Sequence, residues 1–223
     1  MQLRNGTVIN PEKAKKIRLN NNNIKAGFLV FEDCFDEDAI VDMKRMCDRL
    51  VKNKNMNCGG NRHVTDMSFE PCFYDYMKHL EHTLQDAFSI FRNCILNHSL
   101  EGGLQLITAL PYAKTNQNWH RDTEADCGFS YAVMIPLVDM TTDNGPFQII
   151  PQSTKMCSKD CDSLSSVTVT TKKGDVVIFD ARLLHRGSKN MTCTERPVLV
   201  TQMEKKEYKH GWTTYDPLND ESL

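Results

Sequence analysis

His120-Arg121-Asp122 sets an imidazole and a carboxylate two residues apart. Side chains alternate along an extended chain, so both point to one face if this segment is strand-like. With seven His and 18 Asp in 223 residues, one such pair arises by chance in about every second chain of this length, so it says little alone. His185 lies 65 residues further on, just past the apolar run Gly174-Asp175-Val176-Val177-Ile178-Phe179-Asp180, which places it at a strand end. Two imidazoles and one carboxylate make the three-ligand face that non-haem iron(II) oxygenases use, and the remaining coordination positions stay open. Eleven residues beyond His185, Arg196 opens the otherwise apolar run Pro197-Val198-Leu199-Val200. A guanidinium pointing into a barrel needs a carboxylate, and its fork can hold one through two hydrogen bonds. The bland alternatives are a structural histidine at His185 and a surface arginine at Arg196.

These residues need a scaffold, and the hydropathy pattern outlines one. Gly27 to Phe31 reads as a short strand. Asp36 or Asp38 caps a helix over about 37–52, with Ile40, Met43, Met46, Cys47 and Leu50 on one face. Cys58-Gly59-Gly60-Asn61 reads as a loop. Pro71 starts a second helix over about 71–97, whose stripe is Phe73, Met77, Leu80, Leu84, Phe88, Phe91 and Ile95. From Gly103 the period shortens, and strands are expected near 104–110, 129–138, 147–150, 166–171, 175–180 and 196–203. Asp143-Asn144-Gly145-Pro146 and Lys173-Gly174-Asp175 are turns. Many short strands after two long helices point to a mostly β fold with flanking helices, a sandwich or barrel.

The composition agrees with a single domain. Forty per cent hydrophobic and 25% charged residues are those of a globular protein. A net charge of −2 gives no reason to expect nucleic acid as a partner. No apolar run reaches the roughly 18 residues of a membrane span, and the N-terminal residues carry no secretory core. An intracellular, cytoplasmic location with nine reduced cysteines is therefore the expectation. Residues 1–25 read as a flexible basic tail, followed by one domain over 26–223.

From Gly27 to about Met203 the chain resembles the phytanoyl-CoA dioxygenase family. The segments that carry the resemblance are Gly27-Phe28-Leu29-Val30-Phe31, Gln117-Asn118-Trp119-His120-Arg121-Asp122, and Asp143-Asn144-Gly145-Pro146 leading to Pro151-Gln152-Ser153-Thr154-Lys155. Gly174-Asp175-Val176-Val177-Ile178-Phe179 with Leu184-His185-Arg186-Gly187, and then Arg196, complete it. Gln152 and Thr154 stand where Gly and His are usual, which puts local geometry there in doubt. The resemblance implies a double-stranded β-helix, the jelly-roll or cupin-like barrel. It implies iron(II) held by His120, Asp122 and His185, and 2-oxoglutarate whose far carboxylate meets Arg196. Ser188, Met134 and the pair Arg62/His63 are candidates for a second contact with that co-substrate. O2 is the oxidant and ascorbate an optional reductant. The carboxylate at Asp122 favours hydroxylation over halogenation, because halogenating members carry Ala or Gly there.

Rival readings are weaker. His120-Arg121-Asp122 is not a kinase loop, since Cys127 stands where the asparagine belongs and no glycine-rich loop precedes it. Cys157-x3-Cys161 lacks a second ligand pair for zinc. Arg121, Arg182, Arg186 and Lys189 read as a solvated rim or as recognition for an acidic substrate. The expected function is a dioxygenase acting on a small-molecule or lipid-type substrate, releasing succinate and CO2. A protein side-chain hydroxylase and a catalytically silent scaffold of the same fold are the alternatives.

Overall fold

A computed structural model describes residues 26–52, 57–59, 61–123, 130–156 and 164–205. The basic tail over 1–25, the Cys157/Cys161 pair and the C-terminal stretch lie outside the described residues.

Strand β1 (Phe28–Phe31) leads into helix α1 (Glu37–Val51). Asp36 is the cap: its Oδ1 accepts the Ala39 N–H at 2.9 Å, so one orphan donor of the first turn is satisfied. The buried face of α1 is Ala39, Ile40, Met43, Met46 and Cys47. A hairpin of β2 (Asn57–Gly59) and β3 (Arg62–Asp66) follows, and then α2 (Pro71–Ala87), with Pro71 in its first turn. Strands β4 (Cys94–Leu96), β5 (Leu104–Ala109), β6 (Ser130–Pro136), β7 (Phe147–Ile149), β8 (Val167–Val169), β9 (Val176–Asp180), β10 (His185–Gly187) and β11 (Arg196–Lys205) complete the chain.

Two antiparallel sheets face each other. The larger has the order β1-β9-β6-β11-β5-β3-β2, with β4 also paired to β11. The smaller has the order β10-β7-β8, and an isolated bridge between His120 and His185 adds the His120 segment to its edge. This is the expected jelly-roll architecture with two flanking helices.

Alternation along the large sheet sorts side chains into two cores. One face of β11 and its neighbours, with Leu106, Val133, Ile135, Ile178, Leu199 and Met203, packs against the stripes of α1 and α2. The other face, with Ala132, Met134, Val177, Phe179, Val198 and Val200, meets Phe147, Ile149 and Val169 of the small sheet. The functional side chains sit in this second layer.

Two expectations about elements need correction. The second helix stops at Ala87 instead of running to 97: Phe88 is extended (φ −136°, ψ 124°), a 3-10 turn spans Ser89–Phe91, and β4 begins at Cys94. Apolar spacing misled here because Phe88 and Phe91 still reach the core, and Phe88 stacks edge-on with both Phe31 and Phe91. The segment around Cys58 and Gly59 forms a hairpin strand rather than a loop, since β3 offers it a partner.

Candidate active site

His120 and His185 face each other across the bridge between their segments. Their backbones exchange hydrogen bonds of 3.0 and 2.9 Å, and their ring centroids are 4.4 Å apart. Asp122 N–H donates to the Ala181 carbonyl at 2.9 Å, which fixes the carboxylate beside them. Asp122 Oδ1 lies 3.4 Å from His185 Nε2 and 4.0 Å from His120 Nε2, and the three ligand atoms lie within 4.8 Å of one another. Cis ligands on an octahedral ion with bonds of about 2.1 Å stand about 3 Å apart, so the set closes on a metal with small movements. No other group of three His, Cys, Asp or Glu among the described residues is so placed.

Each imidazole is oriented through its other nitrogen. His120 Nδ1 lies 2.9 Å from the Asn118 carbonyl and His185 Nδ1 lies 2.9 Å from the Leu183 carbonyl. Donation to those carbonyls places the proton on Nδ1 and leaves the Nε2 lone pair for a metal. Burial and the neighbouring His185 push His120 down to about 4, so it is neutral at ordinary pH. Burial alone would raise Asp122. The charge and hydrogen bond of His185, with His120 beside it, outweigh burial and hold the carboxyl below its ordinary value. Two imidazole Nε2 atoms and a carboxylate oxygen are the donor set that iron(II) takes while keeping open positions. Phe147 and Phe179 wall the site, with centroids 5.4 and 4.8 Å from the His185 ring.

A cavity runs from this triad along the inner face of the large sheet to Arg196. Ile107, Met134, Val198 and Val200 line its middle, and Arg62 and Gln117 its far end. Arg62, Ala109 and Arg196 are register partners across β3, β5 and β11, so both guanidinium-bearing residues stand in one cross-strand row. Both are buried. Arg196 Nε has no hydrogen-bond partner, and burial together with Arg62 lowers its pKa to about 9. Arg62 is lowered to about 10 by burial, and its Nη2 donates to the Ser188 carbonyl at 3.2 Å. A buried, unpaired guanidinium at the end of an apolar channel suits the free carboxylate of a dicarboxylic acid chelated at the other end.

The structure thus brings together His120, Asp122, His185, Arg196, Met134 and Arg62. Ser188 contributes its carbonyl to Arg62, while its own hydroxyl is buried without a partner. The neighbouring basic residues do not form one solvated rim. Arg121 is buried and donates to the Arg182, Ser153 and Met156 carbonyls, holding the 153–156 segment against the metal strand. Arg186 stacks on Trp119 at 4.1 Å and donates to Gln148, and Arg182 pairs with Asp180. The alternation Arg62-His63-Val64 was the signal that could have singled out Arg62 over His63.

The phytanoyl-CoA dioxygenase (PhyH) profile matches residues 24–198. No curated protein sequence matched the chain. Among solved structures, AviO1 from Streptomyces viridochromogenes Tue57 is 20% identical with a TM-score of 0.67, covering 85% of this chain and 95% of its own. HygX from Streptomyces hygroscopicus, solved with nickel, 2-oxoglutarate and hygromycin B, is 13% identical with a TM-score of 0.63, covering 89% and 98%. The epimerase SnoN, solved with Fe3+, alpha ketoglutarate and nogalamycin RO, is 14% identical with a TM-score of 0.63, covering 83% and 81%. No helix among the described residues is long and apolar enough to cross a membrane. The profile spans more than three quarters of the residues and takes in His120, Asp122 and His185, so the chain belongs to the phytanoyl-CoA dioxygenase family and is a 2-oxoglutarate-dependent non-haem iron oxygenase.

Proposed function

We propose that the protein hydroxylates a small molecule, with release of succinate and CO2, and that His120, Asp122 and His185 hold the iron. The observation that carries this reading is the pairing of the metal-ligand triad with the unpaired Arg196 guanidinium in one cavity. Bound iron(II) and 2-oxoglutarate supply the oxidising power: O2 is reduced, the 2-oxo acid is cleaved to succinate and CO2, and one oxygen atom reaches a substrate C–H bond.

The chain's own residues do the rest. The Asn118 and Leu183 carbonyls keep both imidazoles in the ligating tautomer. Arg196 binds the far carboxylate of the co-substrate through its fork. Arg62, held by the Ser188 carbonyl, adds a second positive charge at that end and is the better candidate for the second contact. Met134, Ile107, Val198 and Val200 sheathe the carbon chain and exclude water. Asp122 is a carboxylate where the family's halogenating members carry Ala or Gly, which supports oxygen transfer over halogenation. Small-molecule substrates are supported by relatives of the same fold solved with hygromycin B and nogalamycin RO.

The test is succinate formation from 2-oxoglutarate by anaerobically purified protein given Fe(II), ascorbate and air. Turnover should require iron and vanish in His120→Ala, Asp122→Ala and His185→Ala, while the far-ultraviolet spectrum stays that of the parent. Undiminished succinate in any of the three removes that residue from the metal site.

A further inference from the structure

A second cavity lies on the helix side of the large sheet, where β3 gives way to α2. Its volume is about 470 Å3, a size that small ligands fill. No residue lines both this cavity and the metal cavity. Met67 lines it from the core beneath the two helices.

The walls are unlike that core. Phe69 and Tyr74 line the cavity and are 65% and 52% exposed. Phe69 also holds φ +63°, a conformation that is costly for a bulky side chain. Two aromatic rings kept open beside a cavity offer flat apolar faces to a ligand. Glu70 and Asp75 line the same space, and Asp75 makes no hydrogen bond or ion pair among the described residues. Lys78 is the base nearby. Its Nζ lies 6.0 Å from the Tyr74 ring centre and 3.1 Å from Glu81 Oε1, so Glu81 offsets its charge and the cavity stays acidic.

His98 is the second, independent pointer to a ligand. It lines the cavity and is 7% exposed. Neither ring nitrogen closes a hydrogen bond, the Leu96 carbonyl beside the ring included. Buried polar side chains are nearly always paired, and an unpaired one opposes folding. Burial, with Lys78 adding to it, lowers the His98 pKa, so the ring is neutral and one nitrogen is an acceptor. The Tyr74 ring stands edge-on to it, with centroids 5.8 Å apart. An exposed side chain changes rotamer readily, and a turn of Tyr74 opens His98 to the cavity.

We propose that this cavity binds an organic amine, an ammonium group carried on an apolar ring or short chain. The ammonium pairs with Asp75 and, once Tyr74 turns, donates to His98, while the apolar body stacks on Phe69 and Tyr74. A carboxylate ligand of the same shape meets Glu70 and Asp75 and is rejected. The site is separate from the metal cavity, so the inference goes beyond the oxygenase reading and does not rest on it.

The test is an NMR titration of the full chain, labelled at its methionine methyl groups, with the Met67 signal assigned through Met67→Leu. Phenethylamine is compared with phenylacetate and phenethyl alcohol. The amine should shift the Met67 methyl saturably with a Kd of about 1 mM or lower, and the other two should bind at least about fivefold more weakly. Asp75→Asn and Tyr74→Ala should each weaken the amine about threefold or more. Neither side chain is buried, so both variants should melt within about 3 °C of the parent. Equal binding of the three probes, or an Asp75→Asn variant that binds the amine like the parent, would show an apolar crevice alone and overturn the proposal. So would a Met67 signal that stays unmoved up to about 20 mM amine.

Discussion

Replacing Arg196 by methionine should move stability and co-substrate affinity in opposite directions. The guanidinium is buried, its Nε is unpaired, and Arg62 shares its cross-strand row. Its pKa falls from 12.5 to about 9, which corresponds to about 5 kcal/mol of lost stabilisation of the charged form. At neutral pH the side chain is still charged, so the empty protein bears that cost. Methionine carries no charge and fits an apolar channel. Recovery of only half the cost, about 2–3 kcal/mol, would raise the melting temperature of the metal-free protein by roughly 5–10 °C. The same change removes the proposed partner of the 2-oxoglutarate carboxylate. Truncating one side of a buried charge pair costs about 2–5 kcal/mol, so Kd should rise at least about 30-fold. Binding is measured by anaerobic calorimetry with Mn(II) in place of iron, and stability by thermal melting without ligand. Arg196→Lys should fall between, since it keeps the charge and loses the fork. A methionine variant that melts lower than the parent and binds 2-oxoglutarate within threefold of it would refute the reasoning.

Three further outcomes follow from local contacts. A Cβ on Gly187 would stand 2.1 Å from Arg62 Nη2 and 3.2 Å from Gln117 Oε1, so Gly187→Ala must displace the Arg62 guanidinium. It should weaken 2-oxoglutarate binding by about tenfold or more while metal affinity, measured by competition with a chromophoric chelator, is unchanged. Arg121→Ala removes three bonds to backbone carbonyls and should cost about 3 kcal/mol in urea unfolding, with faster proteolysis near residues 153–156. Burial, with Asp175 for Cys34 and Asp48 for Cys47, pushes both thiols up to about 12. Unfolded thiols ionise near 9, so the folded state binds more protons above that pH. Stability is complete below pH 9 and falls as pH rises toward 12, by up to about 4 kcal/mol per thiol. Urea midpoints between pH 8 and 11 should decline less in the Cys34→Ala/Cys47→Ala variant.

Much of the fold was legible because its local signals agree. Asp36 stands before a clean apolar stripe, and Pro71 starts the second helix. Gly145 has φ +87°, and a Cβ there would meet the Ser188 carbonyl at 2.8 Å, so the Asn-Gly turn could be placed from composition alone. Failures came where tertiary pairing decides. Phe88 to Ile95 keeps helical spacing, yet β11 offers an edge to Cys94–Leu96 and the chain takes it. The three-residue strand His185–Gly187 exists only because β7 and the His120 segment flank it.

The candidate site was legible in its reactive residue types and incomplete in its walls. Histidine and aspartate stand out by chemistry, and the bridge that joins their segments brings together residues 65 positions apart. Arg62 is an ordinary polar residue, and only register places it in the cavity. Its signal is parity. Arg62 leads an alternating strand whose first residue shares a row with Arg196. Parity fixes the face and says nothing of depth. Arg196 and Arg62 share one row of the cavity, and Val198 and Val200 line it together with the His120, Asp122 and His185 triad.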